Sequence, residues 1–527
     1  MVDREGGPAN RRGTGITTMA DNKTSLGEEG SGRLLGSMRG GTRSVLVGQL
    51  GSQLVSLAAL AVLYRLLEPG DFGLLGMAVP LVMIPRMLST MGLAVATVQR
   101  EQLEESQLTH IFWLGLKMGL VAAAATALMG WALAPVYGDP RLVELCSWLA
   151  GTSLLVALGL VHQALLERKM LLGRLVAIRV AGQLLGVVAA VVAAFDGWGV
   201  WSLVIQQYVE ITVTSVLAWF VESWRPGAPG AGSPAEGLTR LGGSYSLSSM
   251  LFYLGQNLDK ILIAVMFGST ELGRQALGMY SQAYQLMMKP VHLVSSPVTG
   301  VMLPALSRAW PDRRLHATMA SGFYAFVATI LLPAGIGLAI VAPDVMTVLG
   351  GEKWQQAGWL LSALAPVILV QGLINITGSL LVSAGKTRVL LFASLLITVL
   401  EAQAIGVAYL LGGQYLGETP WGQVRGIALG LSLVMVLVVF IPYMVFAFRT
   451  VGNQAGNMLR RLVFPLVASG VMGISVYGLS QVRFLQELSP LPRLLCLVAS
   501  GVLVYGTMAH RRIRDVWGEV AGRGPQE

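Results

Sequence analysis

Residues 258–307, LDKILIAVMFGSTELGRQALGMYSQAYQLMMKPVHLVSSPVTGVMLPALS, contain two long apolar spans joined by a short polar hinge. Asp259 and Lys260 lie inside the first span, and Lys289 and Pro290 lie inside the second. A charged side chain at the centre of a membrane helix costs about 2.5–3.5 kcal/mol on insertion scales, so such residues usually face a cavity or a partner. We therefore expect functional residues in this stretch.

The composition is that of a polytopic membrane protein. Of the 527 residues, 54% are hydrophobic and only 12% are charged, whereas soluble domains carry about 25% charged residues. The net charge of +9 comes from residues between the apolar spans, a positive-inside pattern that predicts no nucleic-acid partner. The two cysteines, each within a predicted span, form no disulfide or metal-binding pattern, so we predict no metal and no cofactor.

Apolar stretches of about 20 residues predict an all-α protein with about fourteen transmembrane helices. The predicted spans are 44–66, 73–98, 110–135, 142–167, 175–195, 199–221, 244–268, 277–306, 317–342, 356–384, 389–411, 421–448, 460–480 and 493–510. The predicted units are a disordered cytoplasmic tail (1–40), an N-lobe of helices 1–6 (41–221), a cytoplasmic linker (222–243), a C-lobe of helices 7–12 (244–449), and helices 13–14 with a cytoplasmic tail (450–527).

The charges of the connecting loops predict the orientation. With the N-terminus placed inside, the inner segments carry about 20 Lys and Arg residues, and the outer segments carry about 7. A miscounted helix would reverse this bias downstream, and no reversal occurs. Both termini are therefore predicted to be cytoplasmic.

Two segments about two hundred residues apart indicate an internal repeat. Each has a Leu-Gly-Met sequence, at 75–77 and 277–279, followed by a proline beside a cation, Pro85-Arg86 and Lys289-Pro290. Each predicted copy contains six helices, and an even number makes the copies parallel, as in one class of transporters. We therefore predict two pseudo-symmetric six-helix lobes followed by two additional C-terminal helices.

Four stretches resemble bacterial polysaccharide flippases of the Wzx type, in the multidrug/oligosaccharidyl-lipid/polysaccharide exporter superfamily. They are LYRLLEPGDFGLLGMA (63–78), GWGVWSLVIQQ (197–207), residues 258–287, and SAGKTRVLL (383–391). The resemblance implies two MATE-like lobes around a cavity that opens alternately to each side. It also implies an oligosaccharide on a polyprenyl pyrophosphate carrier as substrate, the bacterial inner membrane as location, and polysaccharide polymerase machinery as a candidate partner.

Cations deep in the predicted helices are candidates for binding the substrate head group. Arg86 lies near the middle of helix 2, too deep to reach either interface easily, and Lys289 is its counterpart in the repeat. Lys260 and Lys117 are further candidates. For each of these cations, an ion pair within a lobe or a position at the membrane interface is the structural alternative.

Three acids are candidates for ion coupling or charge pairing. Asp259 shares one helix face with Gln256 and Lys260, and we favour a structural pairing for this carboxylate. Glu210 in helix 6 and Glu401 in helix 11 have no basic neighbour in sequence. Either carboxylate could hold a proton or a cation, or could pair with one of the buried cations.

The favoured function is a transporter without covalent catalysis that moves a lipid-linked oligosaccharide across the membrane. A proton- or sodium-coupled exporter of small drugs is the alternative within the same superfamily, although several cavity cations would repel cationic drugs. A membrane polysaccharide polymerase or ligase would need a large external loop with catalytic residues, and the connections here are short. Residues 344–359 show no nucleophile or metal-binding pattern, so we do not predict an enzyme.

Overall fold

The computed structural model describes residues 51–99, 104–230, 250, 253–452 and 455–520, and these residues form helices without any strand. The predicted tail 1–40 lies outside the described residues, as does residue 231 onward of the predicted linker. The helices are α1 (Gly51–Leu66), α2 (Pro69–Gln99), α3 (Glu105–Tyr137), α4 (Arg141–Arg168), α5 (Leu172–Phe195), α6 (Val200–Val221), α7 (Leu258–Phe267), α8 (Glu271–Ala309), α9 (Arg313–Gly350), α10 (Gln355–Leu364 and Val367–Ser383), α11 (Thr387–Leu416), α12 (Pro420–Thr450), α13 (Ala455–Ser480) and α14 (Pro490–Val520).

The all-α membrane fold is confirmed. Ten described helices are long and apolar enough to cross a membrane, and the bent helix α10 makes eleven. The other three, α1, α7 and α8, coincide with predicted spans 1, 7 and 8. Within the described residues α1 and α7 are short. The predicted number of fourteen is therefore consistent with the described helices, although length and composition alone support eleven.

The pattern of helix–helix contacts in the first lobe recurs six helices later in the second lobe, as the sequence repeat predicts. In the first lobe α3 packs on α4, α5 on α6, α2 on both α3 and α4, and α4 on α6. In the second lobe the same five pairs recur as α9 with α10, α11 with α12, α8 with α9 and α10, and α10 with α12. The two lobes meet mainly through α2 and α8, the two helices that carry the repeated motif.

Helix α10 is broken, which differs from the single span predicted at 356–384. Its two halves are inclined by 53° at a break that contains Pro366. Proline has no N–H to continue the helical ladder, and its ring crowds the preceding turn, so a bend here has a clear physical cause. In α12 a π-helical stretch, Val434–Phe440, likewise precedes a proline, Pro442.

The two additional C-terminal helices pack on one helix of the second lobe. Both α13 and α14 contact α9 and each other, around a separate cluster of buried apolar side chains that includes Val341, Met472 and Leu497. The Tyr505 hydroxyl donates a hydrogen bond of 2.7 Å to the Thr329 carbonyl of α9. Helices α13 and α14 are thus attached to the C-lobe.

Candidate functional site

Glycines allow α2 and α8 to cross in direct backbone contact at the end where both helices begin. The loop-charge pattern predicts that this end faces outside. A Cβ atom on Gly73 would overlap the Arg274 carbonyl, and one on Gly278 would overlap the Pro69 carbonyl. Gly76 lies against the Ser281 side chain. The Leu-Gly-Met repeats, which contain Gly76 and Gly278, therefore lie together with Gly73 at a close contact between the lobes, which we call the glycine crossing.

Beside the glycine crossing, each lobe caps a helix of the other. Arg65 of α1 donates to the carbonyls of Val348 (2.8 Å) and Leu349 (3.3 Å) in the last turn of α9. In return, Lys353 donates to the Leu67 carbonyl at 2.8 Å, just beyond the end of α1. The last carbonyls of a helix lack hydrogen-bond partners within the helix and carry partial negative charge. A cation at this position donates the missing hydrogen bonds and also interacts favourably with the charge. We call this arrangement the reciprocal cap.

A buried aromatic cluster supports the reciprocal cap. The Trp354 ring stacks on Tyr64 with 4.2 Å between centroids, and Phe72 meets both rings edge-on at 5.3 Å. The Trp354 indole donates to the Tyr64 carbonyl at 2.8 Å, and the Tyr64 hydroxyl donates to Gln282 at 2.9 Å. Aromatic pairs contribute about 0.5–1.5 kcal/mol each beyond the area they bury. The cluster therefore stabilises the closed arrangement of this end.

An ion network also connects the lobes at this end. Asp139, which precedes α4, pairs with Arg141 at 2.8 Å and with Arg274 of α8 at 3.2 Å. Burial alone would raise the pKa of Asp139, but its hydrogen bonds with Arg141 and the charges of both arginines outweigh burial and hold that pKa below its usual value. The pairing is therefore complete at neutral pH and is lost only as the pH falls through this lowered pKa.

Most cations counted at the predicted outer end thus have partners inside the protein, rather than standing free in loops. Those with a described hydrogen bond or ion pair are Arg65, Arg141, Arg274, Lys353, Arg425 and Arg493.

Arg86 and Lys289 occupy equivalent positions farther along the two crossing helices. Lys289 donates to the hydroxyl of Ser56 in α1 at 2.6 Å, so it contacts the opposite lobe. Arg86 donates to the Met83 sulfur at 2.7 Å and lies within electrostatic reach of Tyr253, again in the opposite lobe. Among the described residues neither cation pairs with a carboxylate. Their described partners are neutral, so no described residue compensates either positive charge.

Lys260, Asp259 and Glu401 come together in the C-lobe. The Lys260 ammonium lies 3.8 Å from an Asp259 oxygen and 3.9 Å from the centre of the Tyr284 ring. Tyr280 donates to the other Asp259 oxygen at 2.8 Å. Glu401 of α11 lies within electrostatic reach of both Asp259 and Lys260. We call these three charged residues the C-lobe charge cluster.

The structure does not join the remaining two candidates to this cluster. Lys117 is exposed on α3, an environment that suits a membrane interface as well as a cavity mouth. Glu210 is half-buried on α6, where its Cβ faces Gly186 of α5, and its carboxylate has no hydrogen bond or ion pair with any described residue. The roles suggested for both side chains stay predictions.

Sequence reasoning missed several residues of these sites. Ser56 and Tyr253, which face Lys289 and Arg86, are ordinary helix residues that carry no motif. Tyr280 and Tyr284 had a usable signal, because they lie four residues apart in α8 and so share one face of that helix. The sequence carries no signal that identifies Lys353 and Trp354, since their partners are about 290 residues away in the chain.

Comparison with known proteins decides the family. The model of a family described as polysaccharide biosynthesis protein matches residues 62–358, more than half of the chain. This chain belongs to that family. The match covers the glycine crossing, the reciprocal cap, Arg86 and Lys289, so these features lie within the part that defines the polysaccharide biosynthesis protein family.

Curated relatives of this family member agree. The chain is 25% identical over 433 residues to the lipopolysaccharide biosynthesis protein WzxC of Escherichia coli, covering 80% of this chain and 85% of that protein. It is 25% identical over 420 residues to the teichuronic acid biosynthesis protein TuaB of Bacillus subtilis, with 79% and 83% covered. It is 30% identical over 324 residues to the succinoglycan biosynthesis transport protein ExoT of Rhizobium meliloti, with 60% and 63% covered. The resemblance to Wzx-type proteins is confirmed.

Solved structures confirm the fold of this polysaccharide biosynthesis protein. The lipid II flippase MurJ, in an inward closed conformation, superposes with a TM-score of 0.68 at 12% identity, covering 90% of this chain and 99% of that one. An inward-facing multidrug resistance transporter of the MATE family superposes with a TM-score of 0.59 at 16% identity, covering 76% and 94%. Both share its helical fold.

Proposed function

We propose that this protein translocates a polyprenyl-pyrophosphate-linked oligosaccharide across the bacterial cytoplasmic membrane by alternating access, with both termini in the cytoplasm. Three relatives of similar length are named for the biosynthesis of lipopolysaccharide, teichuronic acid and succinoglycan, and the last is called a transport protein. Polysaccharides of this kind are assembled from hydrophilic sugars, whose passage through a bilayer requires a protein path. Membership of the family and the presence of paired lobes both support this function.

The proposal rests on the placement of Arg86 and Lys289 beyond the closed glycine crossing. Neither cation has a carboxylate partner among the described residues. At 1.5 Å per residue, Arg86 lies roughly 15 Å along α2 from Gly76, and Lys289 lies at a similar distance along α8 from Gly278. Each has only neutral partners among the described residues. A pyrophosphate between the lobes would meet a cation from each side, and such pairing is stronger in a partly dehydrated cavity than in water.

The proposed mechanism follows from these positions. The head group enters from the end opposite the glycine crossing and binds to the two cations, while the lipid tail stays in the bilayer. Opening of the glycine crossing and the reciprocal cap then exposes the head group on the other side. The chain acts here as a transporter, without a covalent step. Lys353 and Trp354, in the connection where an enzyme would need catalytic residues, are engaged in contacts between the lobes.

The C-lobe charge cluster is our candidate for ion coupling. Asp259 and Glu401 share a single cation, Lys260. With both acids ionised, one negative charge is left without a counter-charge among the described residues, and a proton or a sodium ion would balance it. Because Tyr280, on α8, donates to Asp259, the charge state of the cluster would be transmitted to a helix that forms the glycine crossing.

We expect Glu401→Gln to remove the response of transport to an ion gradient, because the amide cannot take up a proton or neutralise a cation. Allosteric coupling between two sites is typically worth 1–3 kcal/mol, so stimulation by the gradient should fall about fivefold or more. The measurement is flipping in liposomes with and without a pH or sodium gradient. Glu418→Gln, on an exposed turn, is the matched control. Equal stimulation in the wild type and Glu401→Gln would exclude Glu401, and Glu210→Gln would then test the other lobe.

The function itself is tested with purified protein in liposomes that contain a fluorescent polyprenyl-pyrophosphate oligosaccharide. An enzyme added outside modifies only the label that has reached the outer leaflet. We expect the modified fraction to rise from about half in protein-free liposomes to nearly all of the label when protein is present, because flipping makes the inner pool accessible. No increase with correctly folded protein and a matched glycan would contradict the proposal. Extrusion of cationic drugs by the same liposomes would then support the drug-exporter alternative.

A further inference from the structure

A small apolar groove lies on the N-lobe between α4 and α6, away from the glycine crossing. Its volume is about 390 Å³, and its lining residues are Leu155, Leu158, Thr212, Ser215, Val216, Trp219, Phe220 and Arg225. Ser215 uses its hydroxyl in a hydrogen bond of 3.0 Å with the Leu155 carbonyl, so it offers little polarity to the groove. Phe220 is 78% exposed and Val216 is 46% exposed. In a membrane-spanning helix, such apolar exposure indicates a surface that faces lipid chains.

A fixed arginine closes one end of this groove. Arg225 follows the end of α6 and donates from one terminal nitrogen, Nη1, to the carbonyls of Glu222 (2.7 Å) and Trp224 (2.8 Å). Its guanidinium lies 5.4 Å from the centre of the Trp219 ring. Nη2 and Nε have no hydrogen-bond partner among the described residues. The side chain is thus held in place by one nitrogen and has donors left for a ligand.

The surrounding residues make this end of the groove rigid and positively charged. The Trp219 indole donates to the Leu158 carbonyl at 2.8 Å and stacks on His162 with 4.2 Å between ring centroids. The nearby acid, Glu222, is buried and already neutralised by Lys169 at 2.7 Å. Arg225 is therefore the charge that a ligand would meet, at the depth where tryptophan and arginine mark the edge of the hydrocarbon region.

We propose that this groove binds an anionic phospholipid of the surrounding bilayer, with one acyl chain between α4 and α6 and the phosphate on Arg225. The groove supplies the apolar surface, and the guanidinium supplies two N–H donors in the geometry that suits phosphate oxygens. A cation near an anionic membrane surface contributes about 1 kcal/mol. The site is separate from Arg86 and Lys289, so it does not depend on the proposed transport function.

The test is native mass spectrometry of the purified full-length protein titrated with phosphatidylglycerol or phosphatidylcholine. We expect the wild type to favour phosphatidylglycerol about fivefold, which corresponds to one favourable cation. Arg225→Gln should remove this preference, and Arg225→Lys should retain most of it. Val216→Trp, which fills the groove, should weaken the binding of both lipids. Arg174→Gln, which removes an exposed cation at the same end of the lobe, is the matched control and should leave the preference unchanged.

Three outcomes would overturn the proposal. One is equal binding of the two lipids by the wild type. Another is an equal loss of preference in Arg225→Gln and Arg174→Gln, which would indicate general surface charge. The third is displacement of phosphatidylglycerol by an equimolar amount of a polyprenyl phosphate, which would assign the groove to the carrier lipid. Thermal unfolding of each variant, compared with the wild type, identifies any loss of lipid caused by misfolding.

Discussion

Arg86→Ala and Lys289→Ala are each expected to reduce the flipping of lipid-linked oligosaccharide by at least about thirtyfold while leaving membrane insertion intact. Truncating one partner of a desolvated, hydrogen-bonded charge pair costs about 2–5 kcal/mol, and 2 kcal/mol already corresponds to roughly thirtyfold. Neither cation pairs with a carboxylate of the described residues, so its removal leaves no unpaired acid and little loss of stability follows. The measurement is the rate at which labelled substrate reaches the outer leaflet of liposomes.

Matched variants distinguish binding of the head group from a general effect of charge. Arg179→Ala removes an exposed cation from α5 and should flip substrate at the wild-type rate. Arg86→Lys keeps the charge but loses the planar guanidinium, so an intermediate rate is expected. Normal flipping by both Arg86→Ala and Lys289→Ala would show that these residues do not bind the head group. Reduced flipping accompanied by a lower unfolding temperature would instead indicate a structural role.

Gly73→Val is expected to hold the glycine crossing open, because the new side chain overlaps the Arg274 backbone, which cannot move independently of α8. Lys353→Ala should act in the same direction with a smaller effect. A hydrogen bond to a charged group contributes about 1.5–3 kcal/mol, so losing it should raise the population of the open state about tenfold or more. Transport should fall in Gly73→Val, because a transporter that cannot close at the glycine crossing cannot return to the state that binds a new substrate at the other end.

A reporter cysteine measures this opening directly. Ser281 is buried against Gly76, and its hydroxyl has no hydrogen-bond partner among the residues that the structure describes, so Ser281→Cys is a conservative change in a background with Cys146 and Cys496 replaced. Its reaction with a membrane-impermeant maleimide should be slow in this background and should accelerate in Lys353→Ala and more strongly in Gly73→Val. Arg483→Ala, which removes another predicted outer-end cation, is the control. Equal labelling in all four proteins would mean that neither feature closes this end.

The sequence predicts the membrane helices and the repeat because both depend on local patterns. Predicted spans 2–6 and 9–14 overlap described helices that are long and apolar enough to cross a membrane, and the Leu-Gly-Met repeats lie at the contact between the lobes. The glycine crossing itself could not be predicted, since a glycine in an apolar helix does not reveal which backbone approaches it. Pro366 is evident in the sequence, yet a proline inside a long apolar stretch is also compatible with a continuous helix, so the sequence alone does not indicate the break in α10.

The candidate site was predictable in its charges and unpredictable in its partners. Asp259 and Lys260 stood out because charge is rare in apolar spans, and the structure places them together. Their relation to Glu401 depends on the packing of α7 against α11, which no local pattern encodes. The sequence shows Arg65 and Lys353 only as loop charges. Their function as caps arises from the meeting of two helix ends that are about 285 residues apart in the chain.

Apart from the Glu68 carboxylate, which Lys353 also contacts at 3.2 Å, the acceptors of the reciprocal cap belong to the main chain. Arg65 and Lys353 bond to carbonyl oxygens of Val348, Leu349 and Leu67, and every residue type supplies the same oxygen at those positions. The side chains of the acceptor turns can therefore diverge freely among relatives, whereas adding or removing one residue would rotate the carbonyls by about 100° around the helix axis. The junction therefore depends on the length and register of these helix ends, and the side chains that it requires are the two donors and Glu68.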